Sequence, residues 1–141
     1  MHVVERFAAW AAEYRRQPVS PEVLHHAKRA VIDWHAALFP GAVVPPATLL
    51  EAALKDELDK GKAQLALGRR ATVRAAAFIN GSAAHTVEVD DIFRDGIYHP
   101  GAPTISAALA LAQACGASGA QFLRAVIVGY EISTRIGAAM G

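Results

Sequence analysis

Residues 20–41 read SPEVLHHAKRAVIDWHAALFPG, and this stretch decides the fold class. Ser20 is placed to accept the first free amide of a helix. Pro21 suits the first helical position, where its missing N–H costs nothing. Leu24, Ala27, Val31, Trp34 or His35, and Leu38 then recur at three- and four-residue steps, which collects apolar side chains on one helical face. Pro40-Gly41 ends the run.

The same grammar extends in both directions. Upstream, Val4, Phe7, Ala8 and Ala11 predict a first helix from Val3 to Arg16, broken at Gln17-Pro18. Downstream, the Pro40–Pro46 stretch is a turn-rich connection. A third helix is expected with Leu50, Ala53, Leu54 and Leu58 inward and a stop at Gly61, followed by a short strand or irregular loop near Gln64–Leu67. Thr72 caps a fourth helix that runs to about Val87. Asn80-Gly81 falls inside it at a cost of roughly 1 kcal/mol, so something must offset the pair. Glu88 to Gly101 reads as a loop. A fifth helix is expected over Ala102–Ala114. Ser118 and Gln121 form a capping box for a sixth, with Leu123, Val126, Ile127 and Tyr130 inward. The expectation is an all-α bundle of five or six helices forming one domain over residues 1–141.

Composition narrows the function classes. The 141 residues are 53% hydrophobic and 19% charged, with a formal net charge of +1, which gives no electrostatic case for a nucleic-acid partner. Cys115 is the single cysteine, so an internal disulfide and a thiol-rich metal site are excluded. The N-terminus has no apolar signal core, and the longest apolar run, near Ala102–Cys115, is too short to span a bilayer. A soluble, cytoplasmic chain without a membrane partner is expected. Between Gly101 and Gly141 only Arg124, Glu131 and Arg135 are charged. Helices that apolar expect burial on most faces, so this end is expected to pack against more polypeptide or another subunit.

The candidate chemistry lies in the predicted loop and its borders, where His85, Glu88, Asp90, Asp91, Asp95 and His99 crowd together. A histidine beside a carboxylate works as a general acid or base near neutral pH, because the carboxylate fixes its tautomer and supports its charged form. Asp91, Asp95 and Gly96 imitate the start of a calcium loop, but Phe93 and Ala102 stand where carboxylates are required. His85, Glu88 and His99 make a two-histidine-one-carboxylate set whose spacing matches no tight metal motif, so no metal ligand is assigned. Spacing alone favours a plainer reading, a solvated acidic loop with His99 packed beside Pro100. His25-His26 reads as a surface pair, His35 as a hydrogen-bonded core residue, Trp10 and Trp34 as core fillers, and Cys115 as a small buried hydrophobe. Arg69, Arg70 and Arg74 read as a solvated turn rather than an anion grip.

The stretch Phe78-Ile79-Asn80-Gly81-Ser82-Ala83-Ala84-His85, then Asp90-Asp91 and His99-Pro100, resembles the MmgE/PrpD (2-methylcitrate dehydratase) family. Gly116-Ala117-Ser118-Gly119, Phe122 and Gly129-Tyr130-Glu131 are similar to its following pattern, and the resemblance covers nearly the whole chain. It implies a cofactor-free lyase or isomerase of small di- or tricarboxylates: 2-methylcitrate dehydratase, cis-aconitate decarboxylase or iminodisuccinate epimerase. Each makes or quenches a carbanion next to a carboxylate. The resemblance also implies a large helical domain with a smaller α/β domain, of which residues 1–141 would be the N-terminal helical portion, and usually a dimer. Its pockets also draw lysines and histidines from later sequence. By resemblance His99 is the active-site acid/base, Glu88 matches the first acidic position, and Asp90 and Asp91 orient the loop and His99. His85 and Ile92 stand at substrate-facing positions. Ile92 replaces a threonine that reaches substrate in several members, and Gly101 replaces a serine, which points to a divergent member. The rival expectation is a non-catalytic helical association module, or one subunit of a split enzyme.

Overall fold

The computed structural model describes residues 2–140. Among them are six α-helices: α1 (Val3–Tyr14), α2 (Pro21–Gly41), α3 (Ala47–Ala53), α4 (Val73–Thr86), α5 (Gly101–Cys115) and α6 (Gly119–Met140). The fold is all-α apart from one small antiparallel hairpin, β1 (Leu58–Gln64) with β2 (Arg70–Ala71). None of the described helices is long and apolar enough to cross a membrane.

The core is built from alanine. Ala75, Ala76, Ala83 and Ala84 lie on the buried face of α4, which packs between α2 and α5. Small side chains let these backbones come close. At Gly41 the approach is tightest, since a Cβ there would sit 1.9 Å from the Ala83 carbonyl oxygen. The large exception is Trp34, only 1% exposed, whose Nε1–H donates to Ser106 Oγ at 3.0 Å and ties α2 to α5. The bond satisfies both polar groups, which would otherwise be costly to bury.

The capping residues act as the sequence predicts. The Val23 amide donates to Ser20 Oγ and the Ala75 amide to Thr72 Oγ1. Ser118 and Gln121 exchange bonds at the start of α6. Asn80-Gly81 stays helical for a visible reason. Asn80 Oδ1 accepts the Ala66 amide at 3.1 Å and Asn80 Nδ2 donates to the Gln64 carbonyl at 2.9 Å, so the side chain pins the hairpin to α4.

Several expectations need correcting. The third helix ends at Ala53, not near Gly61; a 3₁₀ turn (Lys55–Glu57) follows, and Leu58 is buried from a strand. The Leu54–Leu58 step fits a helix, but Asp59 and Gly61 take φ of +59° and +74°, which a helix cannot accommodate. Cys115 is exposed, because the last turn of α5 runs past the core. Trp10 is not a core filler: α1 has no buried residue, and Trp10 rests half-buried against Tyr14, ring centroids 5.1 Å apart. His35 is half-buried rather than in the core, with Nδ1 2.8 Å from the Val31 carbonyl, whereas His25 and His26 are exposed as a surface pair should be. The charge-poor end is left open, as expected of helices that this one domain cannot enclose. Ile97, Ile136 and Met140 border one open depression with exposures of 84%, 45% and 84%.

Candidate active site

α4 ends at Thr86, and the next residues reverse the chain sharply. Glu88 takes φ +54°, a left-handed conformation that a non-glycine residue adopts at a cost of roughly 1–2 kcal/mol. The reversal turns the chain back under the end of α4 and buries Asp90. The loop then closes on itself: Phe93 and Tyr98 form a bridge around a 3₁₀ turn (Arg94–Gly96), the Phe93 amide donating to the Tyr98 carbonyl at 2.8 Å. This small closure returns the chain so that His99 faces His85 just before α5 begins.

Three side chains converge there. The Asp90 side chain is 1% exposed, and its Oδ2 lies 3.1 Å from His85 Nδ1 and 3.3 Å from His99 Nδ1. The two rings have centroids 4.6 Å apart. Glu88 Oε1 lies 3.6 Å from His85 Nε2, on the far side of that ring. His85, Glu88 and His99 line a cleft of about 1170 Å³, whose apolar wall includes Phe78, Ala102 and Pro103. Asp90 sits behind the two imidazoles, outside the cleft lining. A carboxylate buried there orients both rings and stabilises whichever carries a proton.

Asp91 points elsewhere. Its Oδ1 accepts the Gly101 amide at 2.9 Å and its Oδ2 accepts the Tyr130 hydroxyl at 2.9 Å. Asp91 thereby caps α5 from a distance and fastens the loop to α6. Burial pushes its carboxyl above the usual aspartate range, although both hydrogen bonds pull the other way. Burial, together with the adjacent Asp91 charge, pushes the Tyr130 hydroxyl up as well, so Tyr130 is a neutral donor. Gly101 fits this knot, since a Cβ there would lie 2.5 Å from Asp91 Oδ1.

The fold thus brings together His85, Glu88, Asp90 and His99 and sets Asp91 beneath the loop as an anchor. Ile92 is 56% exposed and lies outside the cleft lining. The cleft's cation among the described residues is Arg74, already ion-paired with Glu57. Arg69 is likewise paired, with Asp59 at 2.6 Å. Sequence reasoning missed Tyr130 as part of this assembly. It stands 39 residues from Asp91, and no spacing rule connects them.

The family model for the MmgE/PrpD N-terminal domain matches residues 5–141. The chain belongs to the MmgE/PrpD family. It is 31% identical to the cis-aconitate decarboxylase-like protein oryM of Aspergillus oryzae, over 99% of this chain and 30% of that protein. It is 28% identical to a cis-aconitate decarboxylase of Aspergillus terreus, over 98% of this chain and 29% of that protein. The chain therefore spans about 30% of the length of the curated relatives it matches.

Proposed function

We propose that this MmgE/PrpD domain carries the acid/base centre of a lyase or isomerase of small di- or tricarboxylates, with His99 moving the proton. The supporting observation is the buried Asp90 carboxylate behind two imidazoles on the wall of an open cleft. The relatives named as cis-aconitate decarboxylases favour the same substrate class.

The chemistry follows from the geometry. His99 Nδ1 lies 3.3 Å from Asp90 Oδ2, which leaves the opposite ring nitrogen, Nε2, for a carbon next to a substrate carboxylate. Removing a proton there leaves an electron pair that the carboxylate delocalises as an enediolate. Expelling carbon dioxide leaves the same kind of pair, which the imidazolium then quenches on carbon. Either direction needs a base and an acid poised near neutral pH, and one histidine supplies both. Asp90 holds the ring and supports the imidazolium; Glu88 steadies His85 from its far side. The enediolate also needs positive charge beside it. Arg74 can contribute only by sharing its guanidinium between Glu57 and the substrate. Phe78, Ala102 and Pro103 give the cleft an apolar wall beside the imidazoles.

The test is turnover of cis-aconitate, 2-methylcitrate and iminodisuccinate by the complete gene product. His99→Asn is expected to lower kcat roughly 10²–10⁴-fold with an unchanged circular dichroism spectrum. Unchanged turnover removes His99 from the mechanism.

A further inference from the structure

We infer that the His85–Asp90–His99 cluster is also a site for one zinc-class divalent cation. His85, Asp90 and His99 each offer one ligand atom, and the three lie within 4.8 Å of one another; Asp90 Oδ2 has the Nδ1 atoms of both histidines beside it. In a tetrahedral zinc site, metal–ligand distances near 2.0–2.1 Å put neighbouring ligand atoms roughly 3.3 Å apart. The two nitrogen–oxygen separations here are 3.1 and 3.3 Å. These edges already have the length that coordination requires.

A second observation points the same way. His99 Nδ1 is buried and has no hydrogen-bond partner among the described residues, although it lies 3.3 Å from the Asp90 carboxylate. The separation is short enough for a bond, but the alignment is not. A buried ring nitrogen left in this state is costly, and a cation between the three groups satisfies it. The surroundings also suit a metal. Glu88 stands behind His85 on the Nε2 side, where outer carboxylates commonly orient metal-bound histidines. His85 and His99 both border the cleft, which brings an ion in solution to the edge of the cluster.

The sequence spacing concealed this set, because Glu88 is the carboxylate that sequence distance suggests. The reversal at Glu88 puts Asp90 between the imidazoles instead. Two imidazole nitrogens and one carboxylate select a late first-row ion such as Zn²⁺ and disfavour Mg²⁺ and Ca²⁺, which take oxygen. Binding itself is independent of any turnover. Its consequence rests on the reading of His99 as acid/base: a ring whose Nδ1 is bound to a metal and no longer backed by a free Asp90 cannot cycle its proton, so zinc inhibits.

Calorimetric titration of the full chain with ZnCl₂ tests the site, with MgCl₂ as the control. About one Zn²⁺ per chain is expected, with no heat from Mg²⁺. His85→Gln and His99→Gln should each weaken zinc about tenfold or more, while a His25→Gln/His26→Gln double variant binds as the parent does. Nitrogen-15 spectra of the unsubstituted protein give a readout free of folding effects: the Nδ1 resonances of His85 and His99 shift on adding zinc. Absence of zinc heat from folded protein overturns the site. So does binding that survives both glutamine substitutions or depends on His25 and His26. If zinc binds as expected but leaves turnover unchanged, the acid/base reading fails and the metal site stands.

Discussion

The hairpin region, residues 55–74, carries more charged side chains than the loop at residues 87–100, yet the two use charge in opposite ways. Around the hairpin, Arg69 meets Asp59 and Glu51, and Arg74 meets Glu57, in pairs whose basic partners stand 46–69% exposed. In the loop, one aspartate is withdrawn to 1% exposure with two imidazoles packed against it. The backbones differ too. The hairpin region spends glycine at two of its left-handed positions, Gly61 and Gly68, whereas the loop forces Glu88 and Ile97 into that region. Charge density marks neither segment as a site. What separates them is that the loop buries a carboxylate against two imidazoles, whereas the hairpin leaves its ion pairs at the surface.

Asp90→Asn gives the largest expected effect, because it makes the loop electrostatically like its surroundings without changing its shape. The amide keeps the volume but cannot support an imidazolium, so kcat in the complete gene product is expected to fall roughly 10²–10⁴-fold. Thermal unfolding and circular dichroism verify that the fold survives. If turnover persists, the buried carboxylate is structural only, and the contrast with the hairpin loses its functional meaning.

Gly101→Ala probes the anchor rather than the chemistry. The new Cβ would lie 2.5 Å from Asp91 Oδ1 and 2.8 Å from the Tyr130 hydroxyl, so one of them must move. Overpacking of this kind costs about 1–3 kcal/mol, and a lower midpoint in urea denaturation is the measurement. Hydrogen exchange at residues 91–101 should quicken at the same time, since the knot that fastens the loop to α6 is loosened.

Ile97→Gly runs the other way. Ile97 is 84% exposed and sits at φ +48°, so its side chain stabilises little while its backbone is strained. Glycine removes that penalty, and thermal stability is expected to rise by about 1 kcal/mol. The counterpart in the hairpin is Asp59 at φ +59°, since Gly61 and Gly68 already stand at the other positive-φ positions there.

How much of this was readable from sequence depends on range. Helix starts at Ser20, Thr72 and Ser118 rest on side chains that bond within three residues, so they were legible. The candidate cluster was legible as a crowd of residue types, but not as an arrangement. Which aspartate faces the histidines is set by one left-handed residue, and a run of acidic letters does not encode it. Tyr130 and Gly101 were invisible as partners of Asp91, because their contacts cross between α5, α6 and the loop. The hairpin was misread because Leu54 and Leu58 satisfy helical and extended spacing alike. Tertiary pairing with β2 and the anchor at Asn80 decided the matter.

Arg69→Ala is the smallest change and the control for the whole comparison. Arg69 donates to both oxygens of Asp59 and holds that carboxyl below the usual aspartate value of 3.8. A lowered native pKa means that the pair stabilises the fold above the unfolded pKa, and that this contribution is lost as pH falls through the native one. Both side chains stand largely in solvent, 46% and 68% exposed, so screening and side-chain entropy leave little net effect. The variant should therefore melt with the parent at neutral pH. Any small difference should vanish in high salt or when the pH is lowered below the Asp59 range. A large loss at Arg69 would mean that the hairpin depends on its ion pairs as the loop depends on Asp90, and burial would no longer be what distinguishes the two.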